Sequence, residues 1–146
     1  MASDVIRTER AERRQVAALP WRRGDDGRIE VLLITSRETR RWVTPKGGRM
    51  SGKTDGQAAA QEAWEEAGVR GPAEEEPLGT FRYLKRLKGG GARWCVVSLH
   101  ALAVEAVDDH WLEAHQRERR WVSPQEAARM VDEPDLAVLL AGFRAN

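Results

Sequence analysis

Apolar and polar positions follow one another along the chain in short blocks, and these blocks predict a mixture of strands and helices. Runs rich in β-branched and aromatic residues, bounded by glycine, proline or charged turns, are typical of strands. Such runs predict strands over residues 15–21, 29–36, 41–45, 78–87, 93–106 and 119–123. The segment "KGGGA" separates two of them and indicates a hairpin. Residues 93–106 are nearly all apolar, which predicts a central strand buried on both faces.

The best-marked helix carries a start signal, a stop signal and strong helix formers between them. Thr54 and Gln57 have the spacing of a capping box, in which each side chain bonds the backbone amide of the other residue. Gly68 suits the left-handed conformation that commonly ends a helix. The intervening "AAAQEAWEEA" has high helix propensity. A helix is therefore predicted from Asp55 to Ala67.

Two further helices are predicted near the C-terminus. Ser123 and Pro124 suit the N-cap and the first helical position of one, and the other is predicted over residues 133–145. Residues 46–53 are predicted as a glycine-rich loop, and residues 108–118 as a loop or a short helical turn. Because strands and helices are interspersed and several strands are linked by hairpins, we predict an α/β fold with helices packed on a mixed sheet.

Composition and charge narrow the class of protein. The chain has 146 residues, of which 41% are hydrophobic and 32% charged, with a net charge of +1. These values are typical of one soluble domain, predicted over residues 14–146, with the polar residues 1–13 as a flexible arm. The small net charge argues against a nucleic-acid partner. No apolar run approaches the roughly 18 residues of a membrane span, and the N-terminus lacks the apolar core of a signal peptide, so we expect a cytoplasmic protein with no membrane partner. The single cysteine, Cys95, is predicted to be a buried apolar residue.

Three glutamates stand on the last two turns of the best-marked helix. Glu62, Glu65 and Glu66 lie within an arc of about 100° on a regular helix. Like charges at this spacing cost a few tenths of a kcal/mol per pair. Clustered carboxylates are oxygen ligands of the kind that Mg²⁺ or Mn²⁺ prefers, and a bound cation would cancel the repulsion. A solvated acidic face is the alternative.

The remaining residues of this helix predict how it packs. Ala58 and Ala59 lie one turn earlier on the acidic side, where small side chains would leave room for a ligand. Ala60, Trp64 and Ala67 point to the other side and are expected to pack on the sheet.

A basic, glycine-rich segment, "PKGGRMSGK", comes directly before the helix. Its cations Lys46, Arg49 and Lys53 are suited to hold phosphate, while a metal on the glutamates neutralises and polarises it. Metal-binding and phosphate-binding groups together indicate phosphoryl chemistry.

The segment from Gly47 to Val69 resembles the Nudix box. Gly47 fits the first glycine, Glu62 the glutamate of the Arg-Glu pair, Glu65 and Glu66 the Glu-Glu pair, and Ala63, Gly68 and Val69 the aliphatic and glycine positions that close the box. The resemblance implies a Nudix-like α/β/α sandwich with a mixed sheet, in which Gly47, Gly48 and Gly68 are structural. It also implies an enzyme that cleaves a diphosphate linkage, where water attacks phosphorus with the help of Mg²⁺ or Mn²⁺ on the glutamates.

Two positions depart from the box. Its first glutamate is Lys53 here, and its arginine is Gln61. In the family that arginine commonly orients the glutamates through salt bridges, so its loss bears on their orientation. Because Glu62, Glu65 and Glu66 are intact, the leading interpretation is an active hydrolase. The alternative is a catalytically weak or inactive domain that binds or senses a ligand.

A general base in this family often comes from the box or from a later loop. Glu118 stands shortly before Trp121 and matches a glutamate seen before the final strand, so it is the predicted loop base. An ordinary surface charge is the alternative. Asp108, Asp109 and Glu113 are weaker candidates from the same loop.

Basic residues crowd the predicted hairpin, and no acidic residue occurs from Gly79 to Val104. The cations of that stretch are Arg82, Lys85, Arg86, Lys88 and Arg93. Together with arginines of the first third, they are predicted to form a basic wall that faces the acidic helix across a cleft. Lys85, Arg86 and Arg41 are therefore predicted to bind substrate. Solvated charge on an edge strand is the alternative.

Such a wall suits a highly phosphorylated ligand. With "WVTPKGG", it resembles most the branch that hydrolyses diphosphoinositol polyphosphates and diadenosine polyphosphates. A nucleoside-sugar substrate is less favoured because it carries only two phosphates. A third hypothesis, RNA-end processing through "RYLKRLKGGGAR", is disfavoured by the mixed charge and by the absence of an RNA-binding motif. We predict a polyphosphorylated small molecule as the substrate.

Overall fold

The computed structural model describes residues 12–145, and nearly all of the predicted arm lies outside this range. The strands are β1 (Arg13–Arg23), β2 (Ile29–Thr35), β3 (Trp42–Val43), β4 (Lys46–Gly48), β5 (Val69–Arg70), β6 (Gly79–Arg86), β7 (Ala92–Ala103), β8 (Ala106–Val107) and β9 (Arg119–Val122). The helices are α1 (Asp55–Ala67), α2 (Pro124–Met130) and α3 (Pro134–Ala141). Within this range no helix is long and apolar enough to cross a membrane.

Seven of the strands form one mixed sheet. Its main path runs β3-β2-β1-β7-β6, with β4 added to β1 and β9 added to β2. The pairing of β1 with β7 is parallel, and the other pairings are antiparallel. Strands β5 and β8 form a separate two-stranded ladder. The predicted mixed sheet is confirmed.

Helices cover both faces of the sheet, and alternate residues of β1 point to opposite sides. Val16 and Ala18 belong to the core beneath α1. Ala17 and Leu19 belong to a second core, which α2 and α3 cover through residues such as Leu136. This three-layer arrangement confirms the predicted α/β/α sandwich, and it places α1 alone on its face.

Several predicted boundaries were wrong. The strand expected over residues 41–45 is only Trp42–Val43, and the expected glycine-rich loop begins with the strand Lys46–Gly48. The last helix ends at Ala141, ahead of Gly142. Strand β7 is central, but only its second half is buried on both faces; in its first half Cys95 and Val97 are buried, and the residues between and before them are not. Three glycines with positive φ form that hairpin turn, as "KGGGA" predicted.

Helix α1 packs in a different orientation from the predicted one, although Ala67 is buried in the core as predicted. Ala58, Ala59 and Ala63 are fully buried against the sheet, because small side chains let the helix approach β1 closely. Trp64 is 36% exposed instead of lying on the sheet, and the Arg70 guanidinium stands 5.4 Å from its ring centroid. The acidic residues therefore flank the packed side of the helix and are partly covered.

Candidate active site

Local signals at both ends of α1 hold its glutamates in place. Thr54 and Gln57 form the complete capping box. Gly68 ends the helix in the left-handed conformation with φ 68°, and a side chain there would also collide with Trp111. The last turn is therefore fixed both by its own cap and by the loop packed over it.

The carboxyl groups of Glu62 and Glu66 lie close enough to each other to alter each other's pKa. Burial, the hydrogen bond to Glu66 and the charges of Glu66, Glu65 and Glu113 together raise the pKa of Glu62 to about 8. The carboxyl group of Glu62 lies directly against Gly47, where any Cβ would overlap it. Gly48 has open space around it and shows no such requirement. The first glycine of the segment is thus needed to admit Glu62.

Glu66 is the most buried of the three glutamates, at 7% exposure. Its Oε1 accepts a hydrogen bond of 3.2 Å from the backbone amide of Lys46. The same oxygen lies 3.6 Å from Nη2 of Arg117. Burial raises the pKa of Glu66, while the bonds from Glu62 and Lys46 and the charge of Arg117 act to lower it.

Glu65 has a different hydrogen-bond partner. Its Oε2 accepts a hydrogen bond of 3.2 Å from the side-chain amide of Gln61. Across residues 12–145, no three His, Cys, Asp or Glu side chains are grouped so that they could hold a metal ion together. The three glutamates are therefore not preassembled as one three-ligand site. Glu62 and Glu66 alone still fit Mg²⁺ or Mn²⁺, because Mg²⁺ commonly binds one or two carboxylates and completes its shell with water and phosphate oxygens. A cation held by this pair would displace the proton that the raised pKa of about 8 keeps on Glu62.

Lys46 contributes a poorly hydrated cation whose pKa responds to the charge of Glu66. Its ammonium nitrogen lies 4.7 Å from the centroid of the Tyr83 ring, and burial lowers its pKa, opposed by the charge of Glu66. Within the described part of the chain, the ammonium forms no ion pair, whereas the nearby Arg41 does. The structure therefore leaves this cation available to an anionic ligand.

The other predicted phosphate-binding cations differ in their environments. Arg41 forms two contacts with the buried Glu133, of 2.9 and 3.1 Å. Arg49 pairs with Asp55 at 3.0 Å. Lys53 is exposed and lines an open groove of about 670 Å³ beside α1. Gln61 lines the same groove. The two residues that depart from the Nudix box, Lys53 and Gln61, therefore line one groove together with Trp64 and Arg70.

The basic residues of the hairpin do not form the single wall that the sequence predicted. Lys85 lies on the sheet face of Phe81 and Tyr83, because side chains alternate along β6. Arg82 and Arg86 point to the opposite face, where Arg82 pairs with Glu12. Lys85 and Arg86 are both exposed, and only Lys85 shares the face on which the Lys46 side chain meets Tyr83.

The two loop glutamates are placed very differently. The side chain of Glu118 is 66% exposed and lies 3.9 Å from Arg40. Glu113 is 18% exposed, and its Oε1 accepts a hydrogen bond of 2.8 Å from Nε of Arg117. The charge of Glu113 raises the pKa of both Glu62 and Glu66. The structure thus brings Glu113, the weaker candidate, to the glutamate pair, and it directs Glu118 towards solvent.

Arg117 is the site residue that sequence reasoning missed. Its side chain is only 8% exposed, although it lies in the charged run "RERRW". Charged runs are usually solvated, so no local pattern distinguishes this arginine from its neighbours. Its burial follows from the docking of the loop on α1, which is a non-local event.

Comparisons with known proteins bear on the family. A family model described as NUDIX domain matches residues 12–143. The chain is 35% identical over 113 residues to Nudix hydrolase 13, mitochondrial, of Arabidopsis thaliana, covering 72% of this chain and 54% of that protein. It is 31% identical over 105 residues to diphosphoinositol polyphosphate phosphohydrolase 3-beta of Bos taurus, covering 70% and 60%. The chain spans about half the length of the curated relatives it matches.

Solved structures share the fold. A Caenorhabditis elegans Ap4A hydrolase in a binary complex superposes with a TM-score of 0.63 at 23% identity, covering 89% of this chain and 98% of that one. A NUDIX hydrolase from Nitrosomonas europaea superposes with a TM-score of 0.66 at 20% identity, covering 89% and 86%. At these identities the likeness concerns the fold.

Proposed function

The chain belongs to the Nudix family, as its box predicted, and from that premise we propose that it is a metal-dependent pyrophosphohydrolase of polyphosphorylated small molecules. One observation supports this above the others. The carboxyl groups of Glu62 and Glu66 adjoin Lys46, whose backbone amide donates to Glu66 and whose ammonium, among the described residues, forms no ion pair. The site thus offers a place for a cation and a place for an anion next to each other.

The chain's own residues would perform three tasks. Glu62 and Glu66 would hold Mg²⁺ or Mn²⁺, which, when bound, lowers the pKa of coordinated water and neutralises phosphate charge. Gly47 admits the carboxyl group of Glu62, and the backbone amide of Lys46 orients that of Glu66. The Lys46 ammonium would bind a phosphate oxygen, at a site where burial strengthens the attraction.

We propose diphosphoinositol polyphosphates, diadenosine polyphosphates or related nucleotides as the substrates. The bovine relative is named for diphosphoinositol polyphosphates, and the worm protein is an Ap4A hydrolase. In this chain the groove beside α1 has two cations, Lys53 and Arg70, and the half-exposed ring of Trp64. Such a lining suits a ligand that carries phosphates and a planar group.

A substrate panel tests the proposed function. Diadenosine polyphosphates, diphosphoinositol polyphosphates and nucleotide sugars would be incubated with the protein and Mg²⁺ or Mn²⁺, and released phosphate or nucleotide measured. We expect turnover of the first two classes, and its loss on adding EDTA. Binding of these ligands without turnover at any metal concentration would instead favour the ligand-binding alternative, to which the replacement of the box arginine by Gln61 lends support.

A further inference from the structure

A buried arginine outside the box meets the glutamates. Arg117 lies in the loop between β8 and β9. Its Nε donates to Oε1 of Glu113 at 2.8 Å, its Nη2 lies 3.6 Å from Oε1 of Glu66, and its Nη1 donates to the carbonyl oxygen of Thr35 at 3.0 Å. All three nitrogens of one guanidinium group therefore have oxygen partners from three different parts of the fold.

Such an arginine is costly to bury unless its partners are fixed, because a charge loses its hydration on leaving water. The loop that carries it is fixed on the end of α1. The backbone amide of Glu113 donates to the carbonyl oxygen of Glu65 at 3.1 Å. The indole nitrogen of Trp111 donates to the carbonyl oxygen of Glu66 at 2.9 Å. The loop and the last turn of the helix thus form one rigid contact, with Arg117 inside it.

At the box itself, an uncharged residue stands where the family has an arginine. Gln61 occupies the box position that an arginine fills in the family, and within residues 12–145 its amide bonds Glu65 alone. In the part of the chain that the structure describes, the guanidinium that reaches Glu66 comes from Arg117. An arginine offers a planar fork that holds two carboxylates in a set geometry, which the amide of Gln61 does not.

We propose that Arg117 is the positioning residue of the glutamate site, replacing from the loop the arginine that the box lacks, and that it holds Glu113 beside Glu66 as a further carboxylate of the site. This inference rests on the proposed function, since it concerns the metal that Glu62 and Glu66 would hold. Arg117 orients the oxygen of Glu66 from one side while the amide of Lys46 orients it from the other. Glu113 is thereby kept close enough for its charge to act on both Glu62 and Glu66.

Charge and orientation predict opposite effects of removing Arg117. A cation beside Glu66 repels an incoming divalent ion, so charge alone predicts tighter metal binding without it. Orientation predicts weaker binding, because groups that support metal ligands typically change affinity by roughly 10–100-fold when they are removed. The sign of the change therefore distinguishes a positioning residue from a mere neighbouring charge.

Mn²⁺ affinity, measured by electron paramagnetic resonance or calorimetry without substrate, tests the proposal. We expect Arg117→Met and Arg117→Lys to weaken binding by about tenfold or more. Lysine keeps the charge but provides no planar fork, so it should not restore the affinity. The matched control is Arg37→Met, because Arg37 is exposed and bonds Gln116 of the same loop at 3.4 Å. Arg37→Met should bind Mn²⁺ like the wild type.

Variants of Glu113 provide an independent test of the proposal. Glu113→Gln should weaken Mn²⁺ binding, and adding it to Arg117→Met should weaken binding little further, because residues that act as one unit are not additive. Far-ultraviolet circular dichroism checks that each variant folds. If Arg117→Met does not fold, Arg117→Lys and Glu113→Gln carry the test.

The outcomes separate this inference from the proposed function. Wild-type-like or tighter Mn²⁺ binding by both folded Arg117 variants would overturn the positioning role. The proposed function would still hold if the wild-type protein turned over substrate. Fully additive losses would overturn the coupling between Arg117 and Glu113. A wild-type protein with neither Mn²⁺ affinity nor turnover would overturn the proposed function and, with it, this inference.

Discussion

The acidic end of α1 and the basic β6–β7 hairpin both carry clustered charges, but the two clusters lie in different environments. Glu66 is 7% exposed and is contacted by the backbone of Lys46 and by Arg117. Lys85 and Arg86 are exposed to solvent on the hairpin. Partly buried charges interact strongly because little water screens them, whereas exposed charges are screened within about 10 Å at ordinary salt. Substitutions at the acidic end should therefore have large and specific effects, and those on the hairpin small and salt-dependent ones.

The largest expected effect is from Glu66→Gln. It removes one of the two carboxylates proposed to hold the metal, so turnover should fall at least about a hundredfold, since even supporting residues cost roughly 10–100-fold. The metal-free midpoint of thermal unfolding should change little, because the glutamine oxygen can still accept a hydrogen bond from the protonated carboxyl group of Glu62. Glu76→Gln, at an exposed position, is the matched control. Retained turnover would remove Glu66 from the site.

Gly47→Ala should have the next largest effect. Its Cβ would overlap the carboxyl group of Glu62, so either the backbone of β4 or the Glu62 side chain must move. Overpacking of this kind costs about 1–3 kcal/mol, and Mn²⁺ affinity should fall with it. Gly48→Ala is the matched control, since it meets open space. An equal loss of Mn²⁺ affinity in both variants would show that the effect comes from altering strand β4 and not from the overlap with Glu62.

The pKa of Glu62 makes the acidic end sensitive to pH. Its folded-state pKa of about 8 lies above the ordinary 4.5, so between these values the folded protein holds a proton that the unfolded chain has released. The free energy of unfolding of the metal-free protein should therefore decrease as pH rises through this window. Mn²⁺ affinity should increase over the same window, by up to about tenfold per pH unit, because the metal displaces the proton.

Thermal unfolding without metal and Mn²⁺ titrations at several pH values check both slopes. Glu62→Gln, which has no carboxyl group to titrate, should flatten the decrease in stability. A wild-type stability profile that does not fall between pH 5 and pH 8 would show that Glu62 does not keep its proton over this range, contrary to the pKa of about 8.

Features that depend on local sequence were predicted correctly, and features that depend on distant contacts were not. The predicted bounds of helix α1 match the observed ones, because its cap residues Thr54 and Gly68 act locally. The Nudix box is also a local pattern, so the family was recognised from it. Strand β4 was missed because glycine has low strand propensity, and its ladder depends on pairing with β1.

Non-local contacts account for the remaining differences at the site. The exposure of Trp64 depends on which side of α1 meets the sheet, which three buried alanines decide. Arg117 is buried only because its loop docks on α1. The division of the hairpin cations between two faces depends on strand register, which a one-residue shift reverses. Charge clusters that look alike in sequence thus differ in burial.

The smallest expected effect is on the hairpin. Lys85→Glu reverses an exposed charge on the face where Lys46 meets Tyr83, so it should raise KM for a diadenosine or inositol polyphosphate by about fivefold or less, as is usual for exposed charge contacts. Arg86→Glu makes the same change on the opposite face and should leave KM nearly unchanged. The Lys85→Glu effect should shrink as salt rises, because screening already weakens the wild-type contact. Equal increases in both variants at low salt would show a general attraction of the basic hairpin for anions. An increase that is large and independent of salt would place Lys85 inside the bound complex, and the contrast between a buried acidic end and a screened basic hairpin would then be wrong.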